Sequence, residues 1–220
     1  MAILIQEHLN YMALVKYNNN SISDVTELAG VPTGALTHIK TLTASSSSTL
    51  SFVHGSSDVV FDSTYPIYVF KFINIHNDGD QRDIVFNGSS DSGSNYNVTK
   101  TTSTYEGLHW ENDSSAQVSY NTGTDLAQST GDQHISAGLG NQSDDNANGV
   151  LYIFNPSSTT FVKHFISIGC NNYRDGLPGI VNLYVGGYFN TTSAVNAIRF
   201  QMESGNIDSG TIKLYGIKDS

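Results

Sequence analysis

The chain contains a single cysteine, Cys170, so it can form no internal disulfide, and a fold of 220 residues must be held together by its apolar core. Cys170 is expected to be a buried small hydrophobe, because no catalytic or metal-binding companions stand near it in sequence. Basic residues are scarce: 10 Lys and Arg stand against 20 Asp and Glu, for a formal net charge of −10 at neutral pH. They cluster nowhere, which argues against a face that tracks nucleic-acid phosphates. No apolar run approaches the roughly 20 residues that span a bilayer. The opening MAILIQEHLNY has a short apolar patch, but it lacks a basic flank and includes Glu7 and His8, so no signal peptide is expected and the protein should be soluble. Also missing are the Gly-x-Ser-x-Gly elbow, the P-loop, the dinucleotide fingerprint and any His-x-x-x-His pair, so the sequence offers no enzyme signature.

What the chain does have is short strands and turn residues. Only 14% of residues are charged, and Ser, Thr, Asn and Gly supply much of the remaining polar surface, the composition of a rigid, turn-rich exterior. No Pro-rich or charged linker divides the chain, so a single domain is expected over residues 12–220. Residues 1–11 differ in style and read as an added arm. Its Ile3, Leu4, Ile5 and Leu9 would dock on a neighbouring subunit or cover a sheet edge of their own chain.

After a weak strand at Val25–Leu28, strands are predicted at Leu36–Leu42, Leu50–His54, Val59–Phe61, Ile67–Ile75 and Arg82–Asn87. Ile67–Ile75 is apolar on nearly both faces, as a central covered strand would be, and the turn Asn77-Asp78-Gly79-Asp80 should join it to Arg82–Asn87 as a hairpin. Thr101–Trp110 and Ala116–Tyr120 follow. Residues 121–149 are rich in Gly, Asp, Asn and Ser and read as a surface excursion, with one short strand near Gln133–Ala137. Val150–Phe154 and Thr160–Ile168 should form a hairpin about the turn Asn155-Pro156-Ser157-Ser158, and Ile180–Phe189 leads to the last pair.

That pair is the most legible part of the chain. Ile198, Phe200 and Met202 alternate with Arg199, Gln201 and Glu203, and Ile212 and Leu214 alternate with Thr211, Lys213 and Tyr215. Between the two runs lie Gly205, Asn206, Asp208, Ser209 and Gly210, so a terminal hairpin is predicted. The total is about a dozen strands with almost no helix: an all-β, mostly antiparallel sandwich or barrel.

Several stretches also resemble, in wording and in order, a family of tailed-phage virion structural proteins of the marine, cyanophage type. They are SGNIDSGTIKLYGIK at the end, YVFKFINIHNDGD followed by FNGSSDSGSNY, GVLYIFNPSSTT in the middle, and MALVKYNNNSISDVT from Met12. The terminal stretch is the most specific. The resemblance implies a jelly-roll or lectin-like β-sandwich on a phage particle, with no catalytic residues or cofactor to carry over. Residues 1–11 depart from it.

Three constellations in the chain bear on chemistry. Asp144-Asp145-Asn146-Ala147-Asn148-Gly149 matches the first half of a calcium loop, but Asn155 stands where the closing Glu is required, so a polar turn is the better reading. His76-Asn77-Asp78-Gly79-Asp80 is likewise read as a decorated turn. Glu106 and Glu111 have aromatic company, but a five-residue spacing puts them on opposite faces of a regular strand, unsuited to a glycosidase pair. Trp110 and Tyr173 are the candidate glycan or partner contacts, because aromatic faces stack on sugars and anchor interfaces.

The leading expectation is a non-enzymatic virion protein on the particle exterior, a capsid decoration or head-attached protein. It would form a homo-oligomer, in the first instance a trimer, among other virion proteins, with no nucleic-acid or membrane partner. A tail-fibre or adhesin module binding host surface glycans is the alternative, and a polysaccharide depolymerase the second alternative.

Overall fold

The computed structural model describes residues 36–218. The arm at 1–11, with Ile3, Leu4, Ile5 and Leu9, and the strand candidate Val25–Leu28 lie outside these residues. Within them are 12 strands: β1 (Leu36–Ser47), β2 (Leu50–Val53), β3 (Ile67–Asn77), β4 (Ile84–Ser89), β5 (Lys100–Trp110), β6 (Ala116–Tyr120), β7 (Gln133–His134), β8 (Ala147–Phe154), β9 (Lys163–Asn172), β10 (Gly179–Phe189), β11 (Ala197–Met202) and β12 (Ile207–Ile217).

All the pairings are antiparallel, and the strands form two sheets. The larger sheet has eight strands in the order β1-β12-β3-β8-β9-β10-β5-β6, and the smaller has four in the order β2-β11-β4-β7. The protein is an all-β sandwich. Its core is a chain of aromatic rings reaching from one sheet to the other. Phe200 of the small sheet meets Phe70 and Phe72 of the large one at centroid distances of 5.0 and 5.1 Å, and Phe86 meets Phe165 at 5.2 Å, all edge-on. Edge-on pairs of this kind add about 0.5–1.5 kcal/mol each beyond the area they bury.

The alternation read from the sequence places the inward residues correctly: Ile198, Phe200, Met202, Ile212 and Leu214 are all buried. The terminal hairpin, however, does not exist. β11 pairs with β2 and β4 in the small sheet, whereas β12 lies between β1 and β3 in the large one. The turn between them crosses the edge of the sandwich, so the two strands face each other across the core. The expected hairpin of Ile67–Ile75 with Arg82–Asn87 fails for the same reason, since β3 and β4 belong to different sheets. The hairpin of Val150–Phe154 with the following strand is present as β8 and β9.

Three further expectations need correction. Val59 and Phe61 are buried, but they sit on a turn segment, where the Phe61 N–H donates to His54 Nδ1 at 2.9 Å, and not on a strand. The excursion after Asn121 is not purely surface. Ile135, Ala137 and Leu139 enter the core, and β7 pairs with β4. Lastly, β3 is interior to its sheet but not covered on both sides, because Ile73 on its outer side is exposed.

Candidate functional site

The two sheets have very different outer faces. On the large sheet, strand register aligns Ile168 (β9), Tyr184 (β10), Tyr105 (β5) and Tyr120 (β6) in one row across neighbouring strands. Inward residues of these strands, such as Val181, Leu183 and Phe165, fill the core, so the intervening residues must point to solvent. Tyr105, Tyr184 and Tyr120 are 51%, 49% and 45% exposed, and Val118, one residue pair further along β6, is 83% exposed. Ile166 and Ile180 extend the apolar surface on either side of the row.

Tyr105 and Tyr120 meet edge-on with centroids 5.4 Å apart. The Tyr120 hydroxyl donates to Asp125 at 2.8 Å, and that hydrogen bond raises the phenol pKa. Next to the row the surface dips. Gly107 has no side chain, and only Asn182 would come near a Cβ placed there, at 4.0 Å. The result is a groove of about 460 Å³ walled by His109, Ala116, Val118, Ile180 and Asn182. This sheet ends at β6, an edge strand whose sequence AQVSY contains neither charge nor proline. Edges of this kind are usually blunted by lysine, proline or a bulge.

The residues singled out from the sequence lie elsewhere. Trp110 and Tyr173 flank Gly179: Trp110 is its ladder partner, and the Tyr173 N–H donates to its carbonyl at 2.8 Å. Both side chains are half-buried and pack against the core. Gly138, at φ +60°, lies so close under the Tyr173 ring that a Cβ there would come within 2.5 Å of it. The Arg174 guanidinium caps that ring at 5.2 Å. Tyr173 borders a small polar cavity of about 170 Å³ together with Glu111, Asp144 and Asp145.

In the stretch 144–149, three side-chain oxygens accept hydrogen bonds from within the chain. Asn148 Oδ1 accepts from the Asn74 N–H at 2.8 Å, Asn146 Oδ1 accepts from the Asn148 amide, and Asp145 Oδ2 accepts from the Gln142 N–H. Burial pushes the Asp145 carboxyl up in pKa, with Asp175 and Asp144 adding to the shift. The His76 Nε2–H donates to the Gln142 carbonyl at 3.1 Å.

Glu106 accepts from the Asn121 amide at 2.6 Å. It shares the inward parity of Leu108, whereas Glu111 lies in the turn beyond the end of β5 and borders the polar cavity, so the two do not share one strand face. Cys170 is not buried: it lies half-exposed on the outer face, opposite Asn182, because it falls on the outward phase of β9.

The outer face of the small sheet is polar and tied up internally. Asn87 donates to Asp132 at 2.9 Å and accepts from the buried Lys100 ammonium at 2.6 Å. Burial brings the Lys100 pKa down to about 8, against the pull of Asp132. Arg199 reaches Asp132 at 3.5 Å and covers the Tyr96 ring at 4.7 Å. The alternation in β11 marks Arg199 as outward, but the network it joins leaves no local pattern in the sequence, because its members come from separate strands and loops. Comparison of the chain with protein-family models, curated proteins and solved structures found no match in any of the three.

Proposed function

We propose that this protein is a non-enzymatic structural subunit of a phage virion and that it assembles with copies of itself through the outer face of its large sheet. The observation that carries the assembly is the uncharged row of Ile168, Tyr184, Tyr105 and Tyr120 beside the open edge β6. With Val118, Ile166 and Ile180 it exposes on the order of 700 Å² of side chain. That matches the ~800 Å² each partner contributes to a standard interface. In a chain with a net charge of −10, the β9-β10-β5-β6 half of this face carries no Lys, Arg, Asp or Glu at its outward strand positions, while the same row continues to Lys71 and Lys213 on β3 and β12, so copies can approach here without strong repulsion.

Strand order supports the virion class. If β5, β6, β9 and β10 are set aside, the sheets run β1-β12-β3-β8 and β2-β11-β4-β7, with the chain passing from one to the other at every step except β4 to β7, which are neighbours in the small sheet. We read this as a jelly roll whose large sheet has been widened by two inserted hairpins' worth of strands, and jelly rolls serve in viral capsids and lectins. The stretches that resemble phage virion proteins agree with that reading.

Within the particle, a capsid decoration or head-attached role on the exterior fits a compact subunit, with a homotrimer as the expected assembly. Mass spectrometry of purified particles should find the chain at a fixed copy number; its presence in infected cells but absence from particles would remove this reading. A glycan-binding adhesin is the second reading, favoured by the groove over Gly107 between exposed tyrosines. Glycan-array binding lost in Tyr105→Ala or Tyr184→Ala, with assembly intact, would support it. Sugar release by the purified protein, lost in Glu106→Gln, would instead revive the depolymerase.

A further inference from the structure

On the small sheet, Asp83 leads into β4, His134 belongs to β7 and Glu203 follows β11. These strands are neighbours in the order β11-β4-β7, so the three side chains converge at one end of the sheet's outer face. The Glu203 N–H donates to the Asp83 carbonyl at 2.9 Å and fixes their relative position. His134 Nδ1 lies 3.3 Å from Asp83 Oδ2 and 3.7 Å from Glu203 Oε2, and one ligand atom from each of the three residues lies within 4.8 Å of the others.

These spacings are wide for direct bonding. Charge-assisted N–H···O bonds run at ~2.7–2.9 Å, and 3.7 Å is beyond hydrogen-bond range. They are the right width for a shared ion: Zn–N and Zn–O bonds of ~2.0–2.2 Å put neighbouring vertices of a tetrahedron roughly 3.3–3.6 Å apart.

The charges point the same way. Asp83 is buried, yet among the described residues no Lys or Arg pairs with it or with Glu203. Its other oxygen is held by the Ser136 hydroxyl at 3.3 Å and the Leu139 N–H at 3.2 Å, leaving Oδ2 aimed at His134. Such outer hydrogen bonds orient metal-binding carboxylates. We infer that Asp83, His134 and Glu203 form a binding site for a divalent transition-metal ion of the zinc type, with imidazole nitrogen and two carboxylates as protein ligands and a position left for water. Imidazole selects for this class over calcium or magnesium. The ion would fasten β7, which pairs through only Gln133 and His134, to the ends of β4 and β11, and with it the loop that sends Ile135 and Leu139 into the core.

The test uses the full chain stripped with chelator and titrated with Zn²⁺ by calorimetry. One ion per chain should bind with Kd at or below about 10 μM. Excess Zn²⁺ should raise the melting temperature by about 5 °C. His134→Gln and Glu203→Gln should each weaken binding at least about tenfold, while His109→Gln, on the opposite sheet, should leave it unchanged. Glu203 is exposed, so its variant should fold even if the His134 variant does not. Absence of stoichiometric binding, binding unchanged in a folded Glu203→Gln, or a response to Ca²⁺ with none to Zn²⁺ would each overturn the assignment.

Discussion

The outer faces of the two sheets are built from strands with the same period-two alternation, yet one is left bare and the other is sealed. On the small sheet, Asn87, Arg199 and Gln201 are tied to Asp132 of the loop before β7, and Asn87 also to Lys100 at the start of β5 in the large sheet. On the large sheet, Tyr105, Tyr184, Ile168 and Val118 have no such cover, and the strand edge beside them is unprotected. The small sheet's outer residues spend their hydrogen-bonding capacity within the chain and so contribute to its stability. The large sheet's outer residues contribute little to the fold and are available to something outside it. Substitutions on the two faces should therefore fail in different ways.

The largest effect should come from the core that both faces rest on. Leu214→Asp would bury an unpaired carboxylate between the sheets and should cost more than about 4 kcal/mol, enough to prevent folding. Its outward neighbour Lys213→Ala should stay within about 0.5 kcal/mol by urea denaturation. Next comes the sealed face. Asn87→Leu removes the side-chain acceptor of the Lys100 ammonium, leaving it only the Val98 carbonyl at 3.0 Å, and should destabilise by about 2–3 kcal/mol. A change smaller than 1 kcal/mol would show that this layer is not a closed network.

Lys100 also gives the sealed face a pH signature. Its pKa is about 8 when folded, below the ordinary lysine value. Below pH 8 it is charged in both states and the folded protein bears the full cost of burying it. Between pH 8 and about 10.5 the folded state has lost the proton while the unfolded chain still holds it, so stability should rise with pH by on the order of 3 kcal/mol. In Lys100→Met that rise should be missing from the difference between the two stability–pH curves. Equal curves would mean the ammonium is solvated.

Much of the fold could be read from the sequence, because burial on one face of a strand is a local property. Phe200, Leu214 and Ile212 had to be inward, and Ala116–Tyr120 begins and ends where turn residues place it. Which sheet a strand joins is not local. Turn residues such as Asn206 and Gly205 serve a hairpin and a crossing between sheets equally well, so β11 and β12 looked like partners when they are opposed across the core. The bare face was hidden for a related reason. Ile180-Val181-Asn182-Leu183-Tyr184 is apolar on both sides, the pattern of a covered strand, and nothing in it tells an exposed tyrosine from a core one. Trp110 and Tyr173 are half-buried against the core, Trp110 beside Gly179 and Tyr173 over Gly138. Asp83, His134 and Glu203 meet only because β4, β7 and β11 are neighbours, so no motif scan would find them.

The bare face should show the smallest effect on folding and a decisive effect on assembly. Light scattering coupled to size-exclusion chromatography, on the wild type and on Tyr184→Asp and Val118→Asp, measures this directly. The wild type should run as an oligomer, while both variants should run as monomers with melting temperatures within about 3 °C of it. A monomeric wild type, or variants that assemble as it does, would contradict the assignment of this face to self-association.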